Sequence, residues 1–504
     1  MFSLSQLTAA LVIAFLLHRI LRASSRPPLP PGPPKRFLIG NLLDIPTRFD
    51  WKTYGAWADK WGALHYSPLI SVSAFGTHII SVNTLKKSNE LLEGKSAIYS
   101  SRPHVPMPVD LMGWENAMAF TPYGPRFKAY RKTFHEELGN PAALRKFWPQ
   151  EEIHARKFLE LCYKSPTELE RHCFHHAGAI ILRVAYGYEA LENDDPMVKV
   201  GNEAMDTFNK GCAPGSFMVN QIPALKYVPE WFPGAGFQTT ARLWRHWYGD
   251  MVNTPFDFVK KSLANGTAED SFVAIWLKKK LSPFEEDALK HAAGSMFGGG
   301  GETTAVTVYM FFLLMAQHPE IQKKAQAEVD EVCGHRLPTL EDRAEMPYVN
   351  ALAKEVLRSH PAVPTGLPHC TTEDDVHDGY FIPKGSIVSF NIWKMCRDPA
   401  VYSNPEMFNP ERFLGESPEM DPEAVVFGFG RRICPGRLLA DVSVFITLAM
   451  SLAAFNIQPV VEGGKPAPPV YASEGGPVDR LVSFKCSITP RYDPDTMATL
   501  FKEH

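Results

Sequence analysis

Charge of one sign is missing from this 504-residue chain: 52 Lys and Arg stand against 55 Asp and Glu, a formal net charge of -3. No long basic run breaks that balance, so nothing draws the chain to nucleic acid and no such partner is expected. The eight cysteines include no Cys-x-x-Cys pair, and a chain of this size does not need disulfide staples. A reducing compartment is the simpler reading. Internal repeats are absent, which excludes solenoids and propellers. A Gly-x-Gly-x-x-Gly fingerprint after a strand is also absent, so the chain carries no dinucleotide site of its own. No linker-like shift in composition appears between about residue 45 and about residue 490. With 45% hydrophobic and 21% charged positions, residues 37–504 read as one large domain with ample material for a core.

The chain does contain one apolar run near its start, Leu4 to Leu17, extended by Ile20 and Leu21 beyond His18 and Arg19. It is shorter than the roughly twenty residues that usually span a bilayer. No Lys or Arg precedes it, whereas Arg19, Arg22, Arg26, Lys35 and Arg36 follow, and positive charge stays on the cytoplasmic side. Residues 1–22 are therefore expected to be a membrane anchor with the body in the cytosol; a cleaved signal and a peripheral helix are the alternatives. Residues 23–36 form a proline-rich hinge. Fixed φ angles and missing amide donors make it a stiff, extended spacer, expected to hold the body at a set angle.

Helical patterns outnumber strands. Short apolar and β-branched runs give a β-rich patch from Leu64 to Val82 and more strand at Tyr380 to Phe390, so the expected class is mainly α with a small β-rich subdomain. The clearest helix starts at Ser282, where Ser282 and Glu285 form a capping box around Pro283, and runs to about Gln317 before Pro319. Apolar on most sides from Ala292 to Met315, it should cross the interior. Within it, Gly298 to Gly301 cost about 1 kcal/mol each relative to alanine. A distorted turn beside a ligand is one compensating reason, and a packing kink is the alternative. Glu302 and Thr303 follow at once, buried groups suited to moving protons.

The most specific pattern is Phe427-Gly428-Phe429-Gly430-Arg431-Arg432-Ile433-Cys434-Pro435-Gly436. Glycines loop around one cysteine, amides can point at its sulfur, and arginines can meet an anion. A lone cysteine is ordinarily a small buried hydrophobe. Spacing F-x-x-G-x-R-x-C-x-G, from Phe427 to Gly436, resembles the cysteine-ligand loop of the cytochrome P450 family. Other motifs resemble the family's in the same order: Ser101-Arg102-Pro103 and Tyr123-Gly124, then Gly299 to Thr303 as the oxygen-activation segment. Glu355-Val356-Leu357-Arg358 follows with Arg412 as its downstream partner, so the resemblance covers the chain from the hinge onwards.

That resemblance implies the P450 fold, with the long helix crossing over a haem b whose iron takes the Cys434 thiolate. It implies Thr303 and Glu302 as the catalytic proton relay, and Arg131, Arg432 and His369 as partners of the haem propionates. Phe127 departs from it, standing where the family usually has tryptophan, and phenylalanine cannot donate a hydrogen bond. Cys396 departs more mildly, where histidine is common. The implied activity is NADPH-dependent monooxygenation of a hydrophobic small molecule with dioxygen. The implied donor is a membrane-bound NADPH-cytochrome P450 reductase, and the location is the endoplasmic reticulum membrane. Lys128, Lys132, Arg431 and Arg437 are candidates for the docking face. Pocket positions by the same resemblance are Val105 to Phe120, Phe208 to Leu225, Met296 and Phe297, Ala362 to Leu367, and Tyr471 to Val478. The style of Pro368 to Asp375 resembles fungal members that tailor secondary metabolites, such as terpenoids or polyketides. A haem-thiolate isomerase or dehydratase, and a ligand-binding protein without turnover, are the alternatives; Thr303 favours monooxygenation.

Overall fold

The structure is a computed structural model that describes residues 26–62 and 67–502, so the anchor expected over residues 1–22 lies outside the described residues. The helices that frame the site are α1 (Pro125–Leu138), α2 (Trp148–Lys164), α3 (Leu169–Tyr186), α4 (Pro196–Cys212), α5 (Gly236–Ala264), α6 (Pro283–Gln317), α7 (Pro319–Cys333), α8 (Pro347–Ser359) and α9 (Arg437–Ala454). Strand is confined to small sheets. Strands β1 (Leu69–Ala74) and β2 (Thr77–Val82) form a hairpin pairing Leu69 with Val82. Strand β3 (His369–Cys370) pairs antiparallel with β4 (Ile387–Phe390), which runs parallel to β2, giving the order β1-β2-β4-β3. The expected β-rich patch and its continuation near Phe390 are thus one sheet.

Helix α6 begins where its capping box dictates: Glu285 N–H donates to Ser282 Oγ, and the Glu285 carboxylate accepts the Ser282 N–H at 2.9 Å. It is 35 residues long and buried on most sides. Its first half, Ala288 to Phe297, belongs to one apolar core with α3, α4 and α5, and its second half, Ala305 to Ala316, to another with α2, α7, α8 and α9. The glycines fall at the seam. The helix continues through them unbroken. Two of them permit close packing: a Cβ on Gly300 would lie 2.5 Å from Ile181 Cδ1, and one on Gly298 2.9 Å from Met205 Sδ.

The hinge is not a free spacer. Proline lacks an amide but keeps its carbonyl, and this run offers a row of them to the body. Pro28 O accepts from Phe381 N, Pro31 O from Ser71 N at 2.8 Å, and Pro33 O from Asn41 Nδ2 at 3.2 Å. Gly32 permits that approach, since a Cβ there would sit 2.0 Å from Ser71 O. Residues 28–34 are therefore fastened to Phe381, to Ser71 on β1 and to Asn41. Among the described residues, one helix is long and apolar enough to cross a membrane, α9, and 78% of it is buried inside the protein.

Candidate active site

The loop carrying Cys434 takes its shape from its glycines. Gly428 and Gly430 adopt φ of 75° and 55°, in the left-handed region, and a Cβ on Gly430 would lie 2.2 Å from Leu92 O. Cys434 N–H donates to Phe427 O at 2.8 Å, which closes the loop, and α9 starts directly after Gly436. The Cys434 thiol is half-buried and free, as are all eight cysteines. Burial pushes its pKa up, while the Gly436 amide, Arg131 and Arg437 pull it back. An amide and two cations around one sulfur favour its thiolate.

Beside the loop lie three guanidiniums that meet no carboxylate among the described residues. Arg131, one turn along α1 from Phe127, donates to Ile433 O at 2.6 Å. Arg432 donates through Nε to Ser100 O and through Nη2 to Thr121 O, while its buried Nη1 has no partner. Arg102 donates to Leu367 O and Pro368 O, and its buried Nε is likewise unpartnered. Burial and Arg131 bring Arg432 down to about 10, and burial and Arg432 hold Arg102 well below its usual value. Cations in such straits call for an anion. His369 lies in β3 with Nδ1 2.7 Å from Tyr99 O. A carbonyl only accepts, so the neutral ring carries its proton on Nδ1 and keeps a lone pair on Nε2. It becomes a second donor only when protonated, which burial, Arg102 and Arg432 oppose.

On α6 the open surface is narrow. Between Ala288 and Ala316 most residues are buried, with Lys290, Gly300 and Gly301 half-buried; Gly299 is exposed, and Ser295 and Thr303 beside it are half-buried. The three residues are spaced by four, so they neighbour one another on one side. A Cβ on Gly299 would meet nothing within 4 Å. Thr303 Oγ1 donates to Gly299 O at 2.8 Å, and Ser295 Oγ accepts the Met118 N–H at 3.0 Å, which brings the apolar stretch Met118 to Phe120 alongside. Phe297, expected in the pocket, is spent on packing instead: it is 3% exposed and its ring leaves no room for a Cβ on Gly201. Helical rotation turns it towards α4. A simple comparison checks the assignment of the two glycine faces. Gly299→Ala is expected to raise apoprotein stability by up to about 1 kcal/mol through helix propensity, whereas Gly300→Ala gains less or loses. Equal melting temperatures for the two variants contradict it.

Glu302 faces the other way. It is almost fully buried, its Oε1 accepts from Arg480 Nε at 2.5 Å and Asn209 Nδ2 at 2.6 Å, and its Oε2 is unpartnered. Burial nevertheless raises its pKa above the usual carboxylate value, with Arg480 and Asn209 opposing. Asn209 also accepts the Val478 N–H at 3.1 Å. Three segments thus meet at this carboxylate: α4, α6 and the turn before Arg480. Glu302 and Thr303 are neighbours in sequence but have separate surroundings. Ser295 and Arg480 lie at the candidate site and were not singled out by sequence, while Arg102 was quoted only as a landmark and Asn209 only within a pocket segment. Arg102 had a signal, a cation fixed before Pro103; Arg480 had none, being 178 residues from its partner.

The Glu355 carboxylate on α8 binds Arg358 through two bonds of 2.7 and 2.8 Å and lies 3.2 Å from Arg412 Nε. Arg358 also donates to Cys396 O and Pro405 O, and Arg412 to Ser403 O. This buried cluster fastens the irregular chain from 396 to 412 onto α8, just ahead of the Cys434 loop. Cys396 itself is fully buried, and its carbonyl serves here.

A cysteine in a glycine-shaped loop, with guanidiniums beside it that lack an anion, is the donor set a haem with a thiolate ligand would need. The chain matches the Cytochrome P450 family model over residues 30–471. It is similar to cytochrome P450 monooxygenase 208 of Postia placenta, 44% identical over 489 residues that cover 96% of this chain and 94% of that one. Cytochrome P450 monooxygenase claR of Ampulloclitocybe clavipes is 41% identical over 97% of this chain and 91% of its own length. Cytochrome P450 monooxygenase ppsD of Aspergillus oryzae is 40% identical over 92% and 89%. The chain belongs to the cytochrome P450 family. It is accordingly a monooxygenase with haem b as cofactor and a cysteine thiolate as axial ligand, and it works with dioxygen, a redox partner and a hydrophobic substrate. The residues present fit that group. Orphaned N–H groups on Arg102 and Arg432 suit its two propionates, and Gly299 and Gly436 both leave open space where a Cβ would stand.

Proposed function

We propose that the Cys434 thiolate would hold the haem iron, that Arg131, Arg432 and Arg102 would hold its propionates, and that Thr303 and Glu302 serve proton delivery. Phe427 and Gly436 shape the ligand loop. Haem with a thiolate ligand supplies the activation of dioxygen. The chain does the rest. The Gly436 amide and Arg131 stabilise charge on Cys434 sulfur, and Thr303 Oγ1, tied to Gly299 O, keeps a hydroxyl at the open face of α6. Glu302 reaches the protein's outer polar groups through Arg480 and Asp206, 3.6 Å apart. The observation that carries this reading is that Gly299 is exposed in the interior half of α6, with Thr303 one turn on, half-buried and bonded to the Gly299 carbonyl.

Thr303→Ala is expected to leave haem and fold intact while uncoupling NADPH consumption from product, so that hydrogen peroxide is released. Unchanged coupling removes Thr303 from the relay. His369, whose Nδ1 already donates to Tyr99 O, stands here as a packing and polar neighbour of the propionates whose Nε2 donates only when the ring is protonated.

The substrate is a hydrophobic small molecule of secondary metabolism, of terpenoid or polyketide type. Half-buried Met118, Ala119 and Phe120 beside Ser295, and Phe208 5.8 Å from Phe120, offer apolar contacts and no charge. The donor is a membrane-bound NADPH-cytochrome P450 reductase. Of the four basic candidates, exposed Lys128 and Arg431 cluster on the two sides of Tyr123, at 5.6 and 5.0 Å, next to the Cys434 loop, whereas Lys132 lies over Trp276. Residues 37–504 act as a single catalytic domain on the endoplasmic reticulum membrane, with residues 1–22 as anchor. Exposed Phe37, Leu38 and Leu43 and exposed Tyr227, Trp231 and Phe232 support a membrane-facing side. Co-expression with a fungal reductase and metabolite profiling tests the whole: an oxygenated product that needs the reductase supports it, and turnover of a hydroperoxide without electrons contradicts it.

A further inference from the structure

Phe127 removes a hydrogen-bond donor from the propionate side, yet its ring has another partner. Arg432 Cζ lies 3.6 Å from the Phe127 centroid, well inside cation–π range. Both side chains are buried, at 2% and 9% exposure, so water does little to weaken the attraction. Tyr123 backs the phenyl ring at 5.8 Å. With one face of the guanidinium on the ring, and Nε and Nη2 bonded to Ser100 O and Thr121 O, the plane of Arg432 is fixed and only Nη1 is left free. Arg131, four residues on from Phe127 in α1, leans on the same loop through Ile433 O.

We propose that Phe127 is a positioning residue: its ring face clamps Arg432 so that Nη1 is presented to a haem propionate. An aromatic clamp on a neighbouring cation thereby replaces a direct hydrogen bond from position 127. This rests on the reading of Arg432 as a propionate partner, and the experiment separates the two. Holoproteins carrying Phe127→Leu, Phe127→Met, Phe127→Trp, Arg432→Lys and Phe127→Leu with Arg432→Lys are mixed with excess apomyoglobin. The rate of haem transfer is measured beside thermal unfolding.

Leucine and methionine keep apolar bulk without a π face, so either is expected to lose haem about tenfold faster, while tryptophan stays within about twofold of the native rate. Arg432→Lys also speeds transfer, and the double variant is no faster than Arg432→Lys alone, because Phe127 acts only through Arg432. Native transfer rates in the leucine and methionine variants, or fully additive effects in the double, overturn the clamp. Should Phe127→Leu fail to fold, the methionine variant and the tryptophan rescue decide the matter in the same way. Arg432→Lys with an unchanged rate overturns the propionate role of Arg432 itself, and the clamp with it.

Discussion

Glu355→Ala is expected to give no folded, haem-loaded protein. Its carboxylate is fully buried, and the Arg358 and Arg412 side chains facing it are each 1% exposed. Removing one partner of a buried ion pair costs about 3–5 kcal/mol, because the charge left behind stays out of water. Here two guanidiniums are affected, in a protein whose whole stability is on the order of 5–15 kcal/mol. Glu355 also accepts the Asn409 N–H at 2.8 Å, so the chain leading towards the Cys434 loop loses its fastening as well. Glu355→Gln keeps an acceptor for Asn409 and should be less damaging. Soluble yield, far-UV circular dichroism and haem content read the result; a Glu355→Ala protein that is soluble, loaded and melts like the native one contradicts it.

Cys434→Ser is expected to abolish monooxygenation while sparing the fold. The loop is held by backbone groups that serine keeps: the Cys434 N–H to Phe427 O, the positive φ of Gly428 and Gly430, and Arg131 on Ile433 O. Only the sulfur changes. A thiol ionises within reach of neutral pH and an aliphatic hydroxyl does not, so serine cannot supply the thiolate. Circular dichroism should match the native protein, and product formation with reductase should fall below detection. Retained turnover contradicts the assignment of Cys434.

Local signals were legible in proportion to their range in the chain. The start of α6 lies in four adjacent residues, Ser282 to Glu285, and the structure places the capping box there. Glu355 and Arg358 are one helical turn apart, and their pairing is visible in the same way. What failed depends on partners far off in sequence. Four glycines in a row suggested a distorted turn or a packing kink; Ile181 on α3 and Met205 on α4 occupy space that side chains would fill, and the helix runs on through the glycines. The proline run was read as a stiff, extended spacer from its missing donors; its carbonyls, which accept from Phe381, Ser71 and Asn41, left no local sign. Phe297 was placed in the pocket by family resemblance, whereas it stands two residues before Gly299, and two residues along a helix turn a side chain by about 200°, here towards Gly201 on α4. For Glu302, whose partners are Asn209 and Arg480, no local pattern existed to read.

The central claim is thiolate ligation by Cys434, and one measurement reaches it directly: the absorption spectrum of the reduced protein under carbon monoxide. The native protein should show the long-wavelength Soret band of thiolate-ligated haem, and Cys434→Ser should lose it while remaining folded. A well-folded, haem-loaded native protein without that band, or a Cys434→Ser protein that keeps it, contradicts the claim.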